Sequence, residues 1–70
     1  MIRFSAHAKR RLADRCLTSA EIFRILSKPR SQYNVPNGQV INWGFSDDGR
    51  VLRIVFDPRN NVVVTIVVEP

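Results

Sequence analysis

The single histidine of the chain is followed by two arginines at helical spacing. His7, Arg11 and Arg15 are spaced i, i+4, i+8, a spacing that puts them in one row along a helix. An imidazole exchanges a proton near neutral pH, and a guanidinium group grips phosphate through paired hydrogen bonds. The row therefore favours proton transfer beside a bound phosphate group.

The segment that carries this row is typical of a short helix that ends near Arg15. Ser5 can cap its start, and its alanines and leucine favour helical backbone. Ala8 and Leu12 share the face that must be buried, and the histidine–arginine row borders that face. Two further cations point elsewhere, as solvated charges that can add to an RNA-binding surface: Lys9 and Arg10.

Length and composition predict one domain spanning residues 1–70, with 44% hydrophobic residues. A chain of this size buries only about 60% of its unfolded surface, so the core is small. The one cysteine, Cys16, excludes an internal disulfide and fits a reducing compartment. No segment has the length of a membrane span or the pattern of a signal peptide, so we expect a cytoplasmic protein with no membrane contact.

Positive charge is concentrated in the first half of the chain. Residues 1–35 hold eight Lys/Arg and two Asp/Glu, a balance of +6, whereas residues 36–70 hold three and four, a balance of −1. Such a distribution suits a polyanion, either nucleic acid or an acidic protein. Many small domains are basic without binding nucleic acid, so charge alone leaves both interpretations open.

A second helix is predicted from about Ser19 to Ser27 by local signals. Thr18 and Glu21 form a capping-box pattern, and Leu17 with Ile22 forms the matching hydrophobic staple. Between the helices, Cys16 stands where a residue with positive φ is common, a position that glycine fills more easily. The expected core-facing residues of this helix are Ile22, Phe23, Ile25 and Leu26.

After Pro29 the apolar residues alternate with a period of two, which is typical of strands. Polar turns separate four of them, predicted at 31–35, 40–45, 50–56 and 62–68. We therefore predict an α+β fold, with two N-terminal helices packed on one face of a four-stranded antiparallel meander sheet. Residues 2–4 form either a further short strand or an extended lead-in. Strict alternation in the last strand puts Val64 and Ile66 on one face, and Val63 and Thr65 on the other.

Few strand residues are candidates for chemistry. Thr65 is the one hydroxyl in a run of β-branched hydrocarbons, and it is either a strand former or a phosphate ligand. Arg53 interrupts an apolar strand, either as a solvated charge or as a phosphate contact. Tyr33 and Trp43 can stack on bases, although Trp43 also suits a sheet face. One histidine and one cysteine do not complete a zinc site, and we expect neither a metal nor another cofactor.

The helical motif resembles a bacterial family known as domain of unknown function 4258. The matching pattern is His7-Ala8, Arg11-Leu12 and Arg15, followed by Leu17-Thr18 and the second amphipathic helix. This family is grouped with RelE/ParE-like toxins and with the barnase–EndoU–colicin–RelE set of small ribonucleases. The resemblance implies an RelE-like fold whose active site is lined by His7, Arg11, Arg15 and Thr65. Cys16 departs from the family pattern, which has glycine there.

The resemblance and the charge together lead to two hypotheses of different kinds. The first is a toxin-like ribonuclease that needs no metal: the 2′-hydroxyl of RNA attacks the adjacent phosphate and leaves a 2′,3′-cyclic phosphate. His7 would be the general base, the two arginines would stabilise the phosphorane, and an acidic antitoxin or immunity-type protein would neutralise the enzyme. The alternative is a non-catalytic basic module that docks an acidic protein or nucleic acid, including an accessory domain that acts through protein contacts alone. In either case the expected RNA contacts are Lys9, Arg10, Tyr33 and Arg53.

Overall fold

A five-stranded mixed sheet with two helices on one face forms the fold of the computed structural model, which describes all residues from Met1 to Pro70. The α+β class predicted above is confirmed. In chain order the elements are β1 Arg3–Phe4, α1 Ala6–Asp14, α2 Ser19–Ser27, β2 Ser31–Asn34, β3 Val40–Phe45, β4 Val51–Asp57 and β5 Val62–Val68. Neither helix is both long and apolar enough to cross a bilayer.

The sheet has the strand order β1-β5-β4-β3-β2. The four strands β2 to β5 form an antiparallel meander, as predicted. A wholly antiparallel sheet of four strands is nevertheless wrong, because β1 adds a fifth strand that runs parallel to β5, with Arg3 opposite Val62. A strand of two residues, such as β1, is too short to show an alternation pattern, and its partner strand lies at the other end of the chain. Local sequence therefore did not predict this pairing.

A β-bulge in β5 changes which residues face the helices. Thr65 pairs with Val55 and Val63 pairs with Phe56, so Val64 has no residue opposite it. Val63 is fully buried together with Ile66. The strict alternation expected for this strand is therefore wrong, since an extra residue shifts the period by one.

Eight buried apolar side chains fill the space between the helices and the sheet. They are Ala8, Leu17, Ile22, Ile25, Leu52, Ile54, Val63 and Ile66. Leu26 is partly buried against them, whereas Phe23 remains 42% exposed. The Phe23 ring instead contacts Phe4, with 5.6 Å between the ring centroids. The prediction that Phe23 faces the core is thus wrong.

Local capping positions both helices as the sequence predicts. The Ser5 hydroxyl accepts the Ala8 N–H at 3.0 Å, and Thr18 with Glu21 forms the capping box. Cys16 has φ of 54°, while the Leu17 N–H donates to the Leu12 carbonyl at 2.8 Å. This is the hydrogen bond of a Schellman motif, which ends α1 and turns the chain toward α2.

Candidate nucleic-acid interface

The first turn of α1 is fixed directly to β5. The Ser5 N–H donates to the Val63 carbonyl at 3.0 Å, and the Ser5 hydroxyl donates to the Val64 carbonyl at 2.7 Å. Ala8 is fully buried, so the helix has one fixed rotation about its axis. Its remaining faces are presented to solvent.

The histidine–arginine row lies on these outer faces of α1. His7 is exposed, Arg11 is half-buried, and Arg15 is the exposed C-cap residue. Lys9 and Arg10 are exposed as well. We call this set of side chains the α1 surface: His7, Lys9, Arg10, Arg11 and Arg15.

No cation of the α1 surface forms a salt bridge. Four salt bridges form in the protein, and their cations are Arg24, Arg50, Arg53 and Arg59. Three of these cations lie in the second half of the chain and pair with three of its four carboxylates, while the fourth, Asp47, pairs with Arg24. The four cations of α1 are therefore free to hold an anion, and the uneven charge of the sequence becomes an uneven surface.

The end of α1 accepts a hydrogen bond from Arg50, the residue that precedes β4. The Arg50 guanidinium donates to the Arg15 carbonyl at 2.7 Å and pairs with Asp48 at 2.9 Å. A cation at this position also interacts favourably with the helix dipole. The side chain of Arg15 itself has no carboxylate partner.

Thr65 projects from the opposite face of the sheet. Its cross-strand partner Val55 lies between buried Ile54 and half-buried Phe56, and Val55 in turn pairs with Ile41 opposite Tyr33. No hydrogen bond or salt bridge joins Thr65 to the α1 surface. We expected Thr65 to share one surface with His7 and Arg11, and that arrangement is wrong, because the Thr65 side chain faces away from the helices.

Two predicted RNA contacts share this helix-free face, which we define by Tyr33, Trp43, Arg53, Val55 and Thr65. Tyr33 is 50% exposed. The Arg53 guanidinium lies 5.8 Å from the Trp43 ring centroid, and its Nε is 3.3 Å from a Glu69 oxygen. Arg53 is thus held by an ion pair and a cation–π contact. The eight site residues of the sequence analysis consequently fall on two surfaces, five on α1 and three on the sheet.

Two carboxylates in or beside the turns of the sheet have lowered pKa values. The Arg50 side chain, and then the Ser46 hydroxyl, lower the pKa of Asp48. The Asn60 amide, and then the Arg59 backbone N–H, lower the pKa of Asp57. No group of three or more His, Cys, Asp or Glu side chains lies close enough to hold a metal ion.

A family model described as "Domain of unknown function (DUF4258)" matches residues 4–68. The chain belongs to this family. The match runs from β1 through the last residue of β5, so it includes every residue of the α1 surface as well as Thr65. No curated protein and no solved structure matches the chain significantly.

One polar feature of this DUF4258 domain was missed at the sequence level. Asn42 is 1% exposed on the helix-facing side of β3, and its Oδ1 accepts a hydrogen bond from Gln32 Nε2 at 2.7 Å. A buried amide among apolar strand residues is unusual. The available signal was an asparagine between Ile41 and Trp43 in a strand that is otherwise apolar.

Proposed function

We propose that this DUF4258 domain is a toxin-like ribonuclease of the RelE/ParE kind, which binds RNA through the α1 surface and cleaves it without a metal. The observation that carries the proposal is the row of cations around His7 with no carboxylate partner. Arginine and lysine without internal partners are suited to phosphate contacts. The exposed imidazole in the same row supplies a group that can accept a proton from the 2′-hydroxyl.

In the proposed reaction the 2′-oxygen forms a bond to the adjacent phosphorus, and the bond from phosphorus to the 5′-oxygen breaks. His7 accepts the proton of the 2′-hydroxyl, while Arg11 and Arg15 stabilise the extra negative charge of the phosphorane. Tyr33 lies on the helix-free face, so water delivers the proton to the leaving 5′-oxygen. The products are a 2′,3′-cyclic phosphate and a free 5′-hydroxyl.

The test compares wild type with His7→Ala on total RNA, with mass analysis of the product ends. Loss of a general base lowers the cleavage rate by about 10²–10⁴-fold, whereas we expect RNA affinity to change little. Lys28→Ala, which removes an exposed cation from the end of α2, is the matched control and should cleave normally. Equal cleavage by wild type and His7→Ala would overturn the proposed role of His7.

The second candidate function is non-catalytic binding of an acidic protein or nucleic acid. The positions of Tyr33 and Thr65 on the opposite face favour it, because the α1 surface then lacks both the tyrosine as general acid and the threonine as phosphate ligand. A pure binding module should hold RNA or an acidic peptide without cleaving RNA. In that case Arg11→Ala and Arg15→Ala should weaken binding, and His7→Ala should have hardly any effect.

A free ribonuclease in the cytoplasm would damage its own cell, so the proposal includes a neutralising partner of the antitoxin or immunity type. The partner segment should be acidic, since it must cover the cations of α1. Expression of the wild-type chain alone should arrest growth, while His7→Ala should be tolerated at equal protein level. Harmless expression together with intact RNA would favour the binding module.

A further inference from the structure

A groove of about 340 Å³ opens on the helix-facing side of β2 and β3, next to the end of α2. Its apolar wall includes Phe23, Leu26 and Phe56, and three amide side chains lie along the strands: Gln32, Asn34 and Asn42. Helix α2 ends at Ser27 and leaves this part of the sheet uncovered. The groove therefore combines aromatic rings with polar groups in one concave space.

Asn42 forms the floor of the groove and has unused hydrogen-bonding capacity. Its Oδ1 accepts from Gln32 at 2.7 Å, while its Nδ2 reaches the Val40 carbonyl only at 3.4 Å. Neighbouring strand positions on the same side of the sheet hold Ile54 and Ile66, which are fully buried. An amide side chain can form up to four hydrogen bonds, so Asn42 keeps one acceptor position on Oδ1 and one N–H on Nδ2 that a ligand in the groove can use.

The shape and chemistry of the groove fit a flat ligand with polar edges. Amide side chains present donors and acceptors side by side, as the edge of a nucleobase does. The exposed ring of Phe23 offers a stacking surface. An aliphatic side chain of a partner protein would fill the same volume but would leave the remaining hydrogen-bonding positions of the Asn42 and Gln32 amides unused.

Positive charge adjoins the groove at one end. A second hollow shares Ile2 with it and is lined by Arg3 and Lys9. Neither cation has a salt-bridge partner. A base in the groove would thus lie beside cations that can hold the phosphate of the same strand.

We propose that this groove binds an unpaired nucleobase of RNA, with the Asn42 and Gln32 amides reading its edge. The inference rests on the proposed function for its biological meaning, because it gives the RNA-binding domain a means of choosing a sequence. Its physical content is separate from cleavage: a base binds here whether or not His7 acts on a phosphate.

The experiment titrates the free chain with each of the four ribonucleosides and follows side-chain amide and aromatic NMR signals. Nucleosides carry no phosphate, so the α1 cations contribute little. One base should bind with a Kd on the order of millimolar and shift Asn42 and Phe23 signals. Asn42→Leu, which keeps the side-chain size, and Gln32→Ala should each weaken that binding about tenfold, in line with the discrimination of good base contacts. Ser31→Ala, on the same strand but the other face, should bind as wild type does.

The possible results separate the two proposals. Nucleoside binding in the groove without RNA cleavage would support this inference and overturn the ribonuclease. Cleavage of RNA with no base preference, together with no shifts of NMR signals from groove residues, would support the ribonuclease and overturn the nucleobase site. If an isoleucine amide probe bound in the groove and no nucleoside did, the groove would be assigned to a protein partner and the proposed nucleobase binding would be overturned. Asn42→Leu should fold at least as stably as wild type; a large loss of stability would show that the amide serves the fold instead.

Discussion

At the residue scale, Glu21 joins three parts of the fold through one carboxylate. Its Oε1 accepts the Thr18 N–H at 2.8 Å, and its Oε2 accepts the Asp47 N–H at 2.7 Å from the β3–β4 turn. These bonds, first that from Asp47 and then that from Thr18, hold the pKa of Glu21 below its ordinary value of 4.5. The sequence predicted the cap of α2 but contained no signal for the contact with Asp47.

The first prediction concerns acid stability. Because the pKa of Glu21 is lower in the folded protein, its stabilisation is present above the unfolded pKa and disappears as pH falls through the folded pKa. Glu21→Gln places an amide donor against an N–H donor, so the variant should be less stable at neutral pH by about 1–3 kcal/mol. Its free energy of unfolding should also depend less steeply on pH below about 4.5.

Urea unfolding between neutral pH and pH 3 measures both effects. Asp48 and Asp57 also have lowered pKa values and remain in the variant, so it should retain part of the pH dependence. If the free energy of unfolding depended on pH equally in wild type and Glu21→Gln, the role assigned to Glu21 would be contradicted.

The second prediction concerns the strained turn at Cys16. Its φ of 54° is in the left-handed region, which costs a residue with a Cβ about 1–2 kcal/mol. Cys16→Gly should therefore raise the free energy of unfolding by about 1 kcal/mol. Ala13→Gly is the control, since the same change at an exposed helical position should lower stability by about 1 kcal/mol. Thermal and urea unfolding of the two variants test whether Cys16→Gly raises the free energy of unfolding and Ala13→Gly lowers it.

At the scale of elements, α2 approaches β3 so closely that only glycine fits beneath it. A Cβ on Gly44 would lie 2.7 Å from Ile25 Cγ2 and 2.8 Å from Ile25 Cγ1. Gly44→Ala should destabilise the fold by about 1–3 kcal/mol through overpacking. The Cβ introduced by Gly44→Ala should be better tolerated when Ile25→Ala removes the atoms that it meets. The double variant should therefore be more stable than the sum of the two single changes predicts. Strict additivity in urea unfolding would argue against this contact.

The elements that the sequence predicted well are those specified by neighbouring residues. The capping box specified the start of α2, and polar turns separated the antiparallel strands. β1 and the bulge at Val64 depend on tertiary pairing instead, so alternation placed Val63 on the same face as Thr65, although Val63 is buried with Ile66. The α1 row followed from helical spacing, whereas the groove at Asn42 required knowing where α2 stops covering the sheet.

At the scale of the whole molecule, the cations of the α1 surface face solvent without salt bridges, whereas every arginine of the second half pairs with a carboxylate. Binding of single-stranded RNA by about four phosphate contacts should give a slope near −3 when log affinity is plotted against log salt. Arg11→Ala should make that slope shallower by about 0.7, because one phosphate contact is lost. Arg59→Ala is the control, since Asp57 already pairs with that cation. Fluorescence titrations at several salt concentrations measure the slope, and a flat response would overturn the phosphate contacts.

The parallel pairing of β1 with β5 has a consequence for synthesis on the ribosome. The first strand and the anchor of α1 both depend on Asn61, Val63 and Val64, and Val64 is translated 59 residues after Ser5. Until β5 leaves the exit tunnel, α1 has no strand to pack against, and contacts between distant parts of a chain form late. A nascent chain therefore cannot present an ordered α1 surface, so the cell meets this row of cations only after the domain has been made.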